Sequence, residues 1–146
     1  MSVTWMPTAD PGTDDPPCLQ RIWCRLVPDD AGAWSLNMNT HWRSRDLYKA
    51  WFMNVYALTD LQRTIAEQIC RNRGELVKVG RYVDITDSLH IYGSYFEQVA
   101  VEVEKMRKTP FTERAWPSTH PAFEMMTLEA REKLSRDPDW YAKAKG

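Results

Sequence analysis

The sequence predicts an α+β fold, a mixed or antiparallel sheet with helices packed on one face. Three observations predict it. Residues 19–27 and 34–42 alternate apolar and polar side chains on either side of Pro28-Asp29-Asp30-Ala31-Gly32, the pattern of a hairpin with one buried face. Residues 47–71 then repeat apolar positions at spacings of three and four, the period of a helix. A β-branched run over 75–92 and a helical run over 95–107 follow. Strands and helices in this succession segregate into layers around one core.

Taken in order, residues 1–17 carry Pro7, Pro11, Gly12, Pro16 and Pro17 among aspartates, and read as an irregular leader that ends in a rigid turn. In the first strand Ile22, Cys24 and Leu26 oppose Arg21, Trp23 and Arg25. The turn has Pro and Asp to initiate it and Gly to take a positive φ. In the second strand Trp34, Leu36, Met38, Thr40 and Trp42 share a face, with Ser35, Asn37, Asn39 and His41 on the other. Cys18 and Arg43 therefore meet at the open end of the hairpin.

The helix over 47–71 places Trp51, Val55, Leu58, Leu61, Ile65 and Ile69 toward the sheet, and Arg71, Asn72, Arg73 and Gly74 stop it. Residues 75–92 read as one long bent strand or two short ones, interrupted at Gly80 and at Thr86-Asp87. The helix over 95–107 turns Phe96, Val99, Val103 and Met106 to one side. Residues 109–121, with three prolines, read as loop. His120-Pro121 opens a last helix to about residue 135, and Asp137-Pro138 leads into a polar tail. Residues 1–17 are thus a leader and 18–146 the folded domain.

Composition excludes several classes of function. With 146 residues the chain is one domain's worth and can bury a real core. A net charge of −1 argues against electrostatically driven nucleic-acid binding. No apolar run is long enough to span a bilayer, and the start lacks the layout of a signal peptide. The three cysteines form no C-x-x-C pair and are odd in number, so neither a metal site nor a disulfide framework is expected. Reduced thiols in the cytoplasm are the default. Seven tryptophans suggest a thick core or an apolar interface.

The chemistry concentrates between Trp42 and Asn54. Arg43, Ser44 and Arg45 stand where the helix is expected to begin, and a helix N-terminus favours anions. Arginine adds fork-shaped donors, and Asp46 can cap the same turn. Asn54, in an otherwise apolar segment, carries both a donor and an acceptor. A phosphate-like group at one end and an amide reader at the other suggest a nucleotide. The plainer reading is a capped helix with a surface arginine pair and an asparagine bonded to backbone. Cys18 follows a Pro-Pro turn, with Arg21 and Arg43 as candidate neighbours that would favour the reactive thiolate form. Its plainer reading is a small buried hydrophobe.

Three short segments in order resemble the thymidylate synthase and pyrimidine hydroxymethylase family. Pro16-Pro17-Cys18 is similar to the Pro-Cys of the family's nucleophile. Arg43-Ser44-Arg45-Asp46, with the apolar run that ends in Asn54, resembles its nucleotide-binding segment. Asp87-Ser88-Leu89-His90-Ile91-Tyr92 resembles its Asp-x-His-x-Tyr, with one residue more. The resemblance covers roughly residues 14–97 and matches the C-terminal part of the family's catalytic domain. It implies a thymidylate-synthase-like fold truncated at the N-terminus and a homodimer formed through a sheet face; the family's N-terminal half would be a separate partner chain, a segment outside this sequence, or a genuine loss.

The implied chemistry is one-carbon transfer to C5 of deoxyuridine monophosphate. Cys18 would be the catalytic nucleophile, adding to C6 of the pyrimidine, and 5,10-methylenetetrahydrofolate would give the one-carbon unit and a hydride. Arg43 and Ser44 match the residues that hold the phosphate. Asp46 matches the acid beside pyrimidine and folate, and Asn54 the amide that reads the base at N3 and O4. His90 and Tyr92 match the pair on the ribose 3′-hydroxyl, their plainer reading being a strand with a core His and Tyr. Leu19 stands where the family usually has His, and Ala50-Trp51-Phe52-Met53 is bulkier than the family's Gly-x-Pro-Phe. Three rivals remain: a pyrimidine nucleotide hydroxymethylase, a non-catalytic nucleotide-binding or subunit-like protein, and a plain structural partner whose tryptophans serve an interface.

Overall fold

A computed structural model describes residues 1–117 and 119–139 as a mixed α+β arrangement. The chain forms two compact units, Met1–Val99 and a second from Ala100 onward.

The hairpin forms as the alternation requires. Strands β2 (Leu19–Pro28) and β3 (Trp34–Trp42) pair antiparallel from Leu19 opposite Trp42 to Pro28 opposite Trp34. At the turn the Asp29 carboxylate accepts the N–H groups of Ala31 and Ala33 at 3.0 and 2.8 Å, and Gly32 takes a φ of 79°. Leu36, Met38, Thr40 and Trp42 are buried, every second residue of β3. The leader is more ordered than expected. Ser2–Val3 forms an edge strand, β1, antiparallel to β2, because the outer edge of β2 presents backbone groups that need partners. The buried Asp10 accepts the N–H of Met6 beside a short 3-10 turn at Asp10–Gly12.

Helix α1 spans Trp51–Arg73 and starts later than residue 47. Arg45–Asp46 instead form a short strand, β4, and the Asp46 carboxylate accepts the N–H groups of Tyr48 and Lys49 at 2.8 and 3.3 Å. That side-chain turn holds residues 47–50 out of the helix. The arginine–serine cluster is therefore not at a helix N-terminus, and Asp46 caps a turn rather than α1. The buried stripe of α1 runs through Leu58, Gln62 and Ala66, while Trp51 and Leu61 stand 37% and 39% exposed. Ile65, Ile69 and Cys70 flank that stripe and pack with Cys24, Leu26 and Trp34 around Leu36, Ala66 and Val77. Gly74 ends the helix at φ 68°, its N–H donating to the Cys70 carbonyl.

The chain then returns as β5 (Val77–Thr86), parallel to β3, so the sheet runs β1-β2-β3-β5 with α1 as the crossover. Gly80 does not interrupt this strand. The register shifts between Leu36 and Met38, and a bulge absorbs it. Gln62, 1% exposed, donates to the Leu36 carbonyl at 2.7 Å and lies 3.3 Å from those of Gly80 and Arg81. The Asn37 side-chain oxygen accepts the Arg81 N–H at 2.8 Å. A Cβ on Gly80 would stand 2.3 Å from that oxygen and 2.8 Å from the Leu36 carbonyl, so only glycine fits.

The expected break at Thr86-Asp87 is present, and β6 (Leu89–His90) pairs parallel with β4. A 3-10 turn at Gly93–Tyr95 leads into α2 (Phe96–Lys108). Phe96, Val103 and Met106, expected to bury one side of α2, are exposed. Within the segment expected to be loop, Phe111–Arg114 makes a short helix, α3. Helix α4 spans Pro121–Arg136, with His120 Nδ1 accepting the Ala122 N–H at 3.2 Å as its N-cap. The polar tail expected after Asp137-Pro138 lies, from residue 140, outside the described residues. Among the described residues no helix is long and apolar enough to cross a membrane, and no cluster of His, Cys, Asp and Glu could hold a metal ion.

Candidate functional site

The three motif segments converge at one end of the sheet. The parallel β3–β5 pair ends with Trp42 opposite Thr86, and the Asp87 N–H donates to the Trp42 carbonyl at 2.9 Å. The two chains stay zipped beyond that point: the Arg45 N–H donates to the Ser88 carbonyl at 2.9 Å, and the Leu47 N–H to that of His90 at 2.8 Å. Asp46 thus lies directly opposite His90. On the other side of β3, the Arg43 N–H donates to the Cys18 carbonyl at 2.9 Å. Backbone pairing alone brings Cys18, Arg43, Asp46 and His90 into one neighbourhood.

The side chains divide into engaged and unengaged groups. Arg43 folds back over the turn before Cys18, donating to the carbonyls of Pro16 and Pro17 and pairing with the exposed Asp15. Cys18 is half-buried with a free thiol. Ser44 is half-buried, and Asn54 is half-buried in the first turn of α1, where its N–H donates to the Ala50 carbonyl at 3.0 Å. Among the described residues the Ser44 hydroxyl and the Asn54 amide group have no protein partner. The His90 ring meets that of Tyr92 edge-on at 4.8 Å, and Tyr92 is exposed. Tyr92 in turn meets Tyr95 edge-on, with Tyr48 5.9 Å and the Lys49 ammonium 4.0 Å from the Tyr95 ring. An aromatic corner therefore flanks Asp46 and His90.

Arg45, read from the sequence either as a donor to an anion or as half of a surface arginine pair, is neither. It is 3% exposed, ion-paired with Asp84, and its guanidinium lies 3.9 Å over the Trp42 ring. Its Nη2 donates to the Trp51 carbonyl at 3.4 Å. Asp84 also accepts the Thr40 hydroxyl at 3.2 Å, and Thr40 lies 3.0 Å from the Tyr82 hydroxyl. Burial pushes the Tyr82 phenol above its ordinary range, against the opposing effect of that hydrogen bond, so it stays neutral. The signal for this network in the sequence is Asp84, an acid between Val83 and Ile85 on a strand, where an acid with a buried partner belongs.

The cysteines are not equivalent. Burial pushes the Cys24 thiol up, and it packs on the core as a small hydrophobe. Arg21, Trp23, Asn39, Thr40, His41 and Ile85 line a shallow groove, with Asn39 and His41 on the face of β3 opposite Leu36 and Thr40. There His41 Nε2 lies 2.9 and 3.0 Å from the carboxylate oxygens of Asp87, and the Asn39 side-chain oxygen is buried without a partner among the described residues.

Two curated proteins are similar to this chain, one from Methanothermobacter marburgensis and one from Methanothermobacter thermautotrophicus. Both are named, provisionally, thymidylate synthase. Each is 34% identical over 103 residues, which take in 70% of this chain and 41% of the relative. The chain therefore spans about two fifths of the length of the curated relatives it matches. No protein-family model matches the chain. No solved structure matches it either.

Proposed function

We propose that residues 18–146 form part of a thymidylate-synthase-like enzyme that transfers one carbon to C5 of deoxyuridine monophosphate. One observation carries the reading: the segments of Cys18, Arg43–Asp46 and His90 are held side by side by backbone hydrogen bonds at one end of the sheet. Similarity to relatives named thymidylate synthase supports it.

In this reading Arg43 and Ser44 hold the phosphate with charge-assisted hydrogen bonds. His90 and Tyr92 face the ribose 3′-hydroxyl. The Asn54 amide accepts from N3–H and donates to O4, a pattern that uracil satisfies and cytosine does not. That chemistry favours deoxyuridylate over the substrate of a cytosine-specific hydroxymethylase. The Cys18 sulfur forms a bond to C6, and the electron pair of the C5–C6 double bond moves onto C5 as an enolate. C5 would then bond to the one-carbon unit and lose its proton; the bond from that carbon to its carrier would break, a hydride would be added to the carbon, and the Sγ–C6 bond would break to restore the C5–C6 double bond. Asp46, which lies opposite His90, would stand beside the pyrimidine.

A folate co-substrate fits what the first turns of α1 present. Trp51, Phe52 and Tyr56 expose aromatic surface, with the Phe52 and Tyr56 rings 6.4 Å apart. Those residues would hold 5,10-methylenetetrahydrofolate, which when bound supplies the one-carbon unit and the hydride. We assign the sheet face of Arg21, Trp23, Asn39 and His41 to a homodimer, where a partner donor would satisfy the buried Asn39 oxygen. Three free thiols suit the cytoplasm.

The test is a titration of deoxyuridine monophosphate and of deoxyuridine against the protein, followed by tryptophan fluorescence. The nucleotide should bind at least about tenfold more tightly, since hydrogen bonds to a charged group contribute about 1.5–3 kcal/mol. Equal affinity would remove the phosphate site, and the proposal with it.

A further inference from the structure

We infer that Arg45 is a positioning residue: through Asp84 and the Trp51 carbonyl it sets where α1 begins against β4, and so where the Asn54 amide stands relative to Arg43 and Ser44. The inference rests on the nucleotide reading above and names what fixes its base selectivity.

Residues 47–50 are turns, so α1 is not a direct continuation of β4. The Arg45 side chain spans that gap. One arm of its guanidinium meets Asp84 on β5, and the other reaches the Trp51 carbonyl at 3.4 Å. Its plane lies on the indole of Trp42 at 3.9 Å, and its own N–H is held by the Ser88 carbonyl at 2.9 Å. Asp84 is fixed in turn by Thr40 at 3.2 Å, and the Trp42 indole N–H donates to the Thr40 hydroxyl at 3.3 Å. The N–H of Asn54 is bonded to the Ala50 carbonyl at 3.0 Å, so Asn54 and Trp51 belong to one helical turn and move together.

Stability alone does not call for this arrangement. A buried ion pair is often no better for stability than a well-packed apolar pair, and the Arg45 Nε–H is a buried donor without a partner among the described residues. What the forked cation contributes, and an apolar side chain cannot, is a fixed geometry between a strand, a second strand and the first turn of a helix. A reader of a base edge needs that geometry, because a misplaced hydrogen-bonding group loses its selectivity before the fold is lost.

The experiment compares wild type with Arg45→Lys, which keeps the charge but cannot fork to both partners. Melting temperature is measured together with affinities for deoxyuridine monophosphate, deoxycytidine monophosphate and inorganic phosphate. The preference for deoxyuridylate over deoxycytidylate should fall by about tenfold or more, with phosphate affinity unchanged, the pattern of a displaced positioning group. A structural role alone would weaken all three ligands together, or none. A folded Arg45→Lys protein that keeps its base preference overturns the inference. Should Arg45→Lys not fold, Asp84→Asn, which keeps an oxygen for Arg45 to bond, must show a reduced preference; an unchanged one overturns the inference equally. Wild-type protein that binds deoxyuridylate and deoxycytidylate alike sinks this inference and leaves the phosphate site standing. Wild-type protein that binds neither sinks the nucleotide reading itself.

Discussion

The N–H of Arg43 and the carbonyl of Cys18 are joined by a 2.9 Å hydrogen bond, and the guanidinium of the same arginine closes over the carbonyls of Pro16 and Pro17. One residue therefore anchors the segment of the proposed nucleophile by its backbone and braces the turn before it by its side chain. The ion pair with Asp15, whose side chain is 94% exposed, adds little to that.

Replacing Arg43 by alanine should therefore act in two places. Affinity for deoxyuridine monophosphate should fall by about 1.5–3 kcal/mol, the range for a hydrogen bond to a charged group. Amide hydrogen exchange at Cys18 and Leu19 should quicken as the Pro16-Pro17 turn loosens. Titration calorimetry and exchange mass spectrometry check the two effects separately. If nucleotide and nucleoside weaken equally, Arg43 braces the turn and does not hold phosphate.

Gln62 closes the bulge between β3 and β5, and its removal should cost more than its size suggests. Gln62→Leu fills the space but leaves the Leu36 carbonyl without its 2.7 Å donor. The expected loss is about 1–3 kcal/mol, the cost of an unsatisfied buried polar group, read from the midpoint of urea unfolding. Gln68→Leu, an exposed change on the same helix, should stay within about 0.5 kcal/mol. Equal effects of the two would mean that Gln62 is not the stitch that holds the bulge.

The hairpin was legible because a period of two leaves no choice of face: Leu36, Met38, Thr40 and Trp42 could only point one way. The start of α1 was not, because an aspartate that caps a helix and one that caps a short turn look alike locally; only the pairing of Arg45–Asp46 with Leu89–His90 decides between them. Gln62 was hidden for a related reason. A glutamine in an apolar period reads as a solvent-facing residue, unless one knows that a bulge with spare carbonyls will face it. The order of the motifs carried the candidate site, which remains a proposal, but the inward turn of Arg45 needed Asp84, a partner 39 positions away along the chain.

Asp29 supplies a pH dependence of known sign. The Ala33 N–H above all holds its carboxyl below the ordinary range against the opposing effect of desolvation, with lesser help from the Ala31 N–H and the nearby Lys78. A carboxyl depressed in the folded state stabilises the fold above its unfolded value, and that contribution is lost as pH falls through the folded value. Asp29→Ala should therefore lower stability at neutral pH. Its deficit relative to wild type should shrink as the solution is acidified below the usual carboxylate range. Urea unfolding of both proteins across that range checks it, and a deficit that grows in acid would contradict the turn geometry.

Cys18 gives the sharpest test of the proposed chemistry. Its sulfur is half-buried at the open end of the hairpin, whereas Cys24 is packed on the core with its thiol pushed up by burial. A nucleotide-directed reaction should therefore mark Cys18 and spare Cys24. With a 5-fluorinated deoxyuridylate, C5 carries fluorine where the natural substrate loses a proton, so the pyrimidine cannot leave by that route and an S–C6 adduct should accumulate when methylenetetrahydrofolate is present. Intact-protein mass spectrometry should find one nucleotide joined to one folate added to the wild type and none to Cys18→Ser, with peptide mapping placing it on Cys18. The serine protein should still bind deoxyuridylate, because Arg43, Ser44 and Asn54 are untouched. If the wild type binds the nucleotide tightly and never carries the adduct, Cys18 is a structural residue and the protein binds the nucleotide without transforming it.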